Sequence, residues 1–217
     1  MAYPSPAFRE DRAEVLHAAI RELYFGLLVT HPQDGFATSY LPWELDASRG
    51  PHGTLVGHLA RYNPQWRVPP DGADALVVFQ GPHAYVSPSW YAGKQDDPRQ
   101  VPTWDYLAVE ARGHLVTFDD EARLHDLLVK LTDRNEAGRE QRWQVTDAPD
   151  DYVRAQMHHI VGIELRIDSL IGRYKLSQNR NAADREGARA GLAAAPTERE
   201  RELAKAIAVA QRGRRVR

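Results

Sequence analysis

In residues 11–24, DRAEVLHAAIRELY, the apolar side chains Val15, Leu16, Ala19, Ile20 and Leu23 recur at helical spacing. The spacing predicts an amphipathic helix, and Asp11 with Glu14 resembles a capping box at its start. The period then changes. Leu27, Leu28 and Val29 form a short β-rich run, Pro32-Gln-Asp-Gly35 is a turn signal, and residues 36–45 read as the return strand. A second turn across residues 49–53 leads into a strand over 54–61, and residues 75–80 (ALVVFQ) read as a buried strand. Residues 106–112 and 115–118 read as a hairpin across Gly113-His114. Helical spacing returns over 120–135, with Leu124, Leu127, Leu128 and Leu131 on one side. A shorter helix is predicted over 150–159, and 160–170 alternates as a strand. From Ala182 onward the chain is rich in Ala, Arg and Glu, which favours helix. The strands come as hairpins rather than in βαβ alternation, which predicts an antiparallel barrel with helices packed at its ends. The expected division is a barrel domain over 1–194, then a C-terminal helix and basic tail over 195–217 carrying Arg212, Arg214, Arg215 and Arg217.

Composition narrows the class. Of 217 residues, 42% are hydrophobic and 27% charged, the balance of a globular chain rather than a disordered one. No apolar run approaches the roughly 20 residues of a membrane span. The first residues, MAYPSPAFREDRAEV, have neither a basic segment nor an apolar one of signal-peptide type, so a cytoplasmic protein is the expectation. The absence of Cys excludes disulfides, thiolate metal sites, iron–sulfur clusters and a Cys nucleophile. A net charge of −2 gives no field favouring nucleic acid, and four Arg in a tail without a helix-turn-helix offer no base readout, so DNA is not the expected partner. Nucleotide-binding Gly-x-Gly-x-x-Gly, the P-loop, the Gly-x-Ser-x-Gly elbow and His-Glu-x-x-His are all missing.

What remains is four segments dense in aromatic, His, Asn and Pro residues. In Gly57-His-Leu-Ala-Arg-Tyr-Asn-Pro-Gln-Trp66, a strand places Val56, His58 and Ala60 on one face. Gly57 leaves room there for a flat ligand. His58 is either a hydrogen-bonded core histidine or a metal ligand, since neutral imidazole binds iron directly. Gly81-Pro-His-Ala-Tyr-Val-Ser-Pro-Ser-Trp-Tyr91 offers His83, Tyr85, Ser87 and Ser89 as polar groups, or is a structural turn. In Val101-Pro-Thr-Trp-Asp-Tyr106, Trp104 either fills the core or stacks on a planar ring. Tyr174-Lys-Leu-Ser-Gln-Asn-Arg180 gathers Lys175, Ser177, Gln178, Asn179 and Arg180, a mixture suited to a flavin phosphate or to heme propionates. The helix start beyond it adds backbone N–H donors. The neighbouring His158 and His159 cannot converge on one metal from a helix.

These segments, in this order and covering about residues 4–192, resemble the PaiB-like family, known as FMN-binding negative transcriptional regulators. The resemblance implies an α+β, mainly antiparallel fold: a Greek-key split barrel like the pyridoxamine phosphate oxidases, with peripheral helices. It also implies a homodimer with its cofactor near the subunit interface. The same family includes heme-dependent piperazate synthases, which close an N–N bond. That branch implies His58 as axial iron ligand and Lys175 as the lysine of the Lys-Leu-Ser-Gln run. Asn179-Arg180 follows the regulator branch, whereas Asp105 after Pro-Thr-Trp looks more like the synthases. At Ser39-Tyr-Leu-Pro42 relatives carry His where this chain has Tyr40, and a phenol with a pKa near 10 does not act as a base at neutral pH.

The resulting expectation is heme b, slightly preferred over FMN, in an enzyme acting on a small nitrogen–oxygen or peroxide substrate. His58 is the metal ligand, and Lys175, Tyr40 and Asp105 handle protons. Arg61, Asn63, His83, Tyr85, Ser87, Trp104, Lys175, Ser177, Gln178, Asn179 and Arg180 line the cofactor. The alternatives are an FMN-dependent reductase or flavin sensor, and an FMN-binding transcriptional regulator.

Overall fold

The computed structural model describes residues 5–214, with side chains through Gln211; Arg215, Arg217 and the side chains of Arg212 and Arg214 lie outside the described residues. In chain order the elements are β1 (Arg9–Glu10), α1 (Ala13–Leu23), β2 (Phe25–Thr30), β3 (Ala37–Pro42), β4 (Glu44–Asp46), β5 (Thr54–Ala60), β6 (Ala73–Val86) and β7 (Thr103–Phe118). There follow α2 (Glu121–Glu136), α3 (Asp150–Met157), β8 (Ile160–Lys175), α4 (Ala182–Ala193) and α5 (Glu198–Arg214). Among the described residues one eight-stranded sheet runs in the order β3-β2-β6-β7-β8-β5-β4, with β1 on β8. The β2–β3, β2–β6, β4–β5, β5–β8 and β1–β8 pairings are all antiparallel. The antiparallel strands with helices are what the hairpin pattern predicts, and the split barrel is what the family resemblance implies.

The chain divides into two compact units. The larger holds residues 12–79 and 110–170; the smaller holds residues 1–11, 80–109 and 171–217. The long strands β6, β7 and β8 pass through both.

In the larger unit the strand alternation sorts side chains as the pleat requires. Leu55 and Leu59 of β5 and Val161, Ile163, Leu165 and Ile167 of β8 are buried on one face. On the other face His58 pairs with Gly162 and Val56 with Glu164. An added Cβ at Gly162 would lie 2.3 Å from Phe118, so only glycine admits that ring over the residue opposite His58. The space beside Gly57 is taken as well: a Cβ there would meet Leu41 at 3.0 Å and Trp43 at 3.2 Å. Gly57 therefore serves close packing, and the room expected for a flat ligand is filled.

Three local expectations are corrected. Residues 106–118 are one continuous strand, not a hairpin, because Gly113 lets a backbone through: a Cβ there would sit 1.9 Å from the Arg166 carbonyl oxygen. The segment 36–45 breaks at Trp43, whose N–H donates to the Tyr24 carbonyl at 2.8 Å, so two strands form instead of one. Asp11 does not cap α1; the helix begins after Arg12 without a side-chain cap, and Asp11 accepts from Arg9 Nε at 2.7 Å.

The smaller unit has its own apolar cluster, in which Ala84, Val86 and Tyr91 meet Leu176, Ala188 and Leu192, with Leu203 and Ile207 of α5. Gly187 and Gly191, one helical turn apart on α4, flatten that face for Trp90. A Cβ at the first would lie 1.9 Å from the Trp90 carbonyl oxygen, and at the second 2.2 Å from its ring.

Candidate functional site

The sequence-derived residues fall into groups that belong to different units, and each group is held by different chemistry. In the larger unit His58 is half-buried on β5, and its Nδ1 is buried without a hydrogen-bond partner among the described residues. Burial lowers the imidazole pKa from its ordinary value, so at neutral pH the ring is uncharged and keeps a nitrogen lone pair.

The residues that follow are engaged in fastening the chain. Arg61 Nε donates to the His158 carbonyl at 2.8 Å, while its Nη2 donates to the Ile160 carbonyl at 2.9 Å and to Asp119 at 2.6 Å. Asn63 caps the short turn Pro64–Trp66 by accepting from the Gln65 N–H, and its amide donates to Ser39 Oγ at 2.8 Å. The buried Gln65 in turn donates to Thr30 Oγ1 and to the Ala37 carbonyl, both at 3.1 Å. Tyr40 is 69% exposed on β3 and stacks at 6.3 Å on Phe25.

In the smaller unit β6 and β7 present an aromatic platform. Trp104 is 46% exposed rather than a core residue, and its Nε1 donates to His83 Nδ1 at 3.2 Å. That bond leaves any proton of a neutral His83 on Nε2. The two rings lie 5.8 Å apart at a 30° tilt, and Tyr85 is also exposed. Ser87 accepts from the Ser89 N–H and so caps the turn Pro88–Trp90.

One residue along, the pleat turns Asp105 inward. It is 0% exposed, and its Oδ2 accepts from Ser177 Oγ at 2.5 Å. Ser177 occupies the left-handed region at φ 56°, a conformation that costs a non-glycine residue about 1–3 kcal/mol. Lys175 Nζ lies 3.8 Å from Asp105 Oδ1 and donates instead to Thr103 Oγ1 and, at 2.7 Å, to the Trp104 carbonyl. Gln178 closes the loop on itself through the Leu176 N–H and the Tyr174 carbonyl. Arg180 donates to Gln100 Oε1 at 2.6 Å and lies 4.4 Å from the Tyr91 ring centre. Asn179 is exposed. At the α4 N-terminus, expected to offer N–H donors, the Asp184 N–H is taken by Asn181 Oδ1 at 2.8 Å.

Thus Asp105, Lys175, Ser177 and Arg180 come together in the smaller unit, as do His83 and Trp104. His58, Arg61, Asn63 and Tyr40 belong to the larger unit. Sequence reasoning missed Thr103, Gln100 and Tyr91 as partners of the two cations; each stands inside or beside a segment already singled out, but nothing in its spacing marks it.

Comparison with known proteins agrees with this architecture. The family model described as "Putative FMN-binding domain" matches residues 2–169. The chain is 33% identical over 177 residues to the "Protease synthase and sporulation protein PAI 2" of Bacillus subtilis, covering 82% of each chain. It is 31% identical over 218 residues to an uncharacterized protein of Emericella nidulans, covering 84% of this chain and 87% of the other. Among solved structures, the FAD and heme binding protein of Mycobacterium smegmatis superposes with a TM-score of 0.58 at 17% identity, over 83% of this chain and 80% of that one. The flavocytochrome Anf3 of Azotobacter vinelandii gives 0.55 at 10% identity, over 77% of this chain and 69% of that one.

Proposed function

We propose that this chain, which belongs to the FMN-binding-domain family matched over residues 2–169, binds a planar cofactor and takes heme b through His58. The observation that carries this reading is the state of the imidazole: uncharged through burial, with one ring nitrogen that nothing among the described residues satisfies. Such a ring fits an iron ligand. A protein of this fold described as binding both FAD and heme supports the same reading, since the scaffold accommodates either group.

FMN is the second reading, favoured by the family match and by the exposed Trp104 and Tyr85, on which a flavin ring can stack. Lys175 Nζ is spent largely on Thr103 and the Trp104 carbonyl, while Arg180 gives Nη1 to Gln100 and keeps further N–H donors for a phosphate. Bound heme supplies a Lewis-acidic, redox-active iron suited to a small nitrogen–oxygen or peroxide substrate. The larger unit's own contribution is a neutral ligand at His58 and the phenol of Tyr40. In this reading two copies form the working unit in the cytoplasm, and the exposed stack of Phe25 on β2 with Tyr40 on edge strand β3 supports a second copy there. No helix among the described residues is long and apolar enough to cross a membrane.

Titrating the cofactor-free protein with hemin and, separately, with FMN tests the choice. The expected result is one-to-one saturation with hemin and a ligated Soret band, with FMN binding more weakly. Stoichiometric FMN binding without a ligated hemin spectrum would reverse the preference.

A further inference from the structure

Three carboxyl groups are almost fully buried among the described residues, and two have a donor on both oxygens. Glu164 receives Arg49 on each oxygen and Arg123 on Oε1. Asp184 receives the Gly93 N–H on Oδ1 and the Asn181 amide on Oδ2. Asp105, the most deeply buried of the three, differs: Ser177 reaches Oδ2, and among the described residues no hydrogen bond reaches Oδ1. An ionised carboxylate left in that state pays a large desolvation penalty, which a carboxylic acid avoids. The nearest cation to the bare oxygen is Lys175 Nζ at 3.8 Å, beyond hydrogen-bond reach and held elsewhere.

We propose that Asp105 stores a proton and thereby sets the position of the Lys175 ammonium. With the proton in place, Lys175 rests on Thr103 and the Trp104 carbonyl, as in this structure. When Asp105 releases its proton to water, the bare carboxylate oxygen draws the ammonium off the Trp104 carbonyl and onto itself. No covalent bond changes. Lys175 is 20% exposed, so its two positions differ in what they offer a ligand arriving beside Trp104. Asp105 acts through Lys175 and is a positioning residue.

The groups facing it are Lys175 from β8, Ser177 and Arg180 from the loop beyond, and the Tyr91 hydroxyl, which Asp184 also influences. Burial raises the Asp105 pKa, while Ser177, Lys175 and Arg180 pull it down without cancelling the rise. The inference does not depend on which planar group the chain takes, and its test needs none.

Carbon-13 NMR of the cofactor-free protein, with aspartate carboxyls and backbone carbonyls labelled, reads both ends of the switch. The Asp105 carboxyl is expected to titrate above the ordinary aspartate range, with the Trp104 carbonyl shift following the same midpoint. In Lys175→Met the Asp105 midpoint rises further and the Trp104 carbonyl stops responding. An Asp105 midpoint at or below the ordinary range, or a Trp104 carbonyl indifferent to it, overturns the proposal. Assignment through the Asp105 Cβ keeps the measurement readable even where Asp105→Asn does not fold.

Discussion

Glu164 is buried on β8 yet ionised, because two arginines meet it. Burial works to raise its pKa, and the paired hydrogen bonds from Arg49, with Arg123 beside them, outweigh that and hold it below the ordinary value of 4.5. A carboxyl depressed in the folded state stabilises the fold above its unfolded pKa, and that contribution is lost as pH falls through the folded value. Glu164→Gln should therefore flatten the acid limb of the stability–pH profile in urea denaturation. At neutral pH its cost belongs at the low end of the roughly 3–5 kcal/mol for breaking a buried pair, since both guanidinium groups keep contact with water. Trp104 gives the opposite kind of prediction. As a half-exposed platform it should tolerate Trp104→Ala with little loss of stability. FMN affinity should fall by up to about tenfold, the worth of an aromatic contact of about 0.5–1.5 kcal/mol. Intact affinity would remove the indole from the site. At this scale the sequence offered residue types but not their partners. His58 reads as a core histidine or a ligand from the sequence, and only the fold shows that it lies opposite Gly162, on the face away from Leu55 and Leu59.

The elements were legible where periodicity alone decides them. The helix over 120–135 and the strand over 54–61 agree with α2 and β5 to within a residue at each end. They were misread where a glycine serves packing instead of a turn. Gly113-His114 has the composition of a hairpin tip, but the approach of the Arg166 carbonyl lies far away in sequence and leaves no local signal. Gly113→Ala should push β7 away from its neighbour. The expected loss of about 1–3 kcal/mol or more is that of overpacking, measured by thermal unfolding. An unchanged midpoint would restore the hairpin. Likewise, the run 174–180 reads as a cationic surface loop, yet its lysine and one nitrogen of its arginine bond to residues 100–104, some seventy to eighty residues earlier.

For the whole molecule, the strand-rich pattern and four ordered motifs sufficed for the split barrel and the family. Cofactor choice is less legible, because it rests on the ionisation of one ring and on which donors of two cations are engaged. Those properties arise only once the chain has folded. The continuity of β6, β7 and β8 through both units is likewise marked by no local pattern in the sequence. The most direct test of the account is the visible absorption spectrum of the hemin-loaded protein beside that of His58→Ala. A ligated Soret band that collapses to the spectrum of free hemin in the variant is the predicted result. An identical spectrum in both proteins would contradict iron ligation by His58.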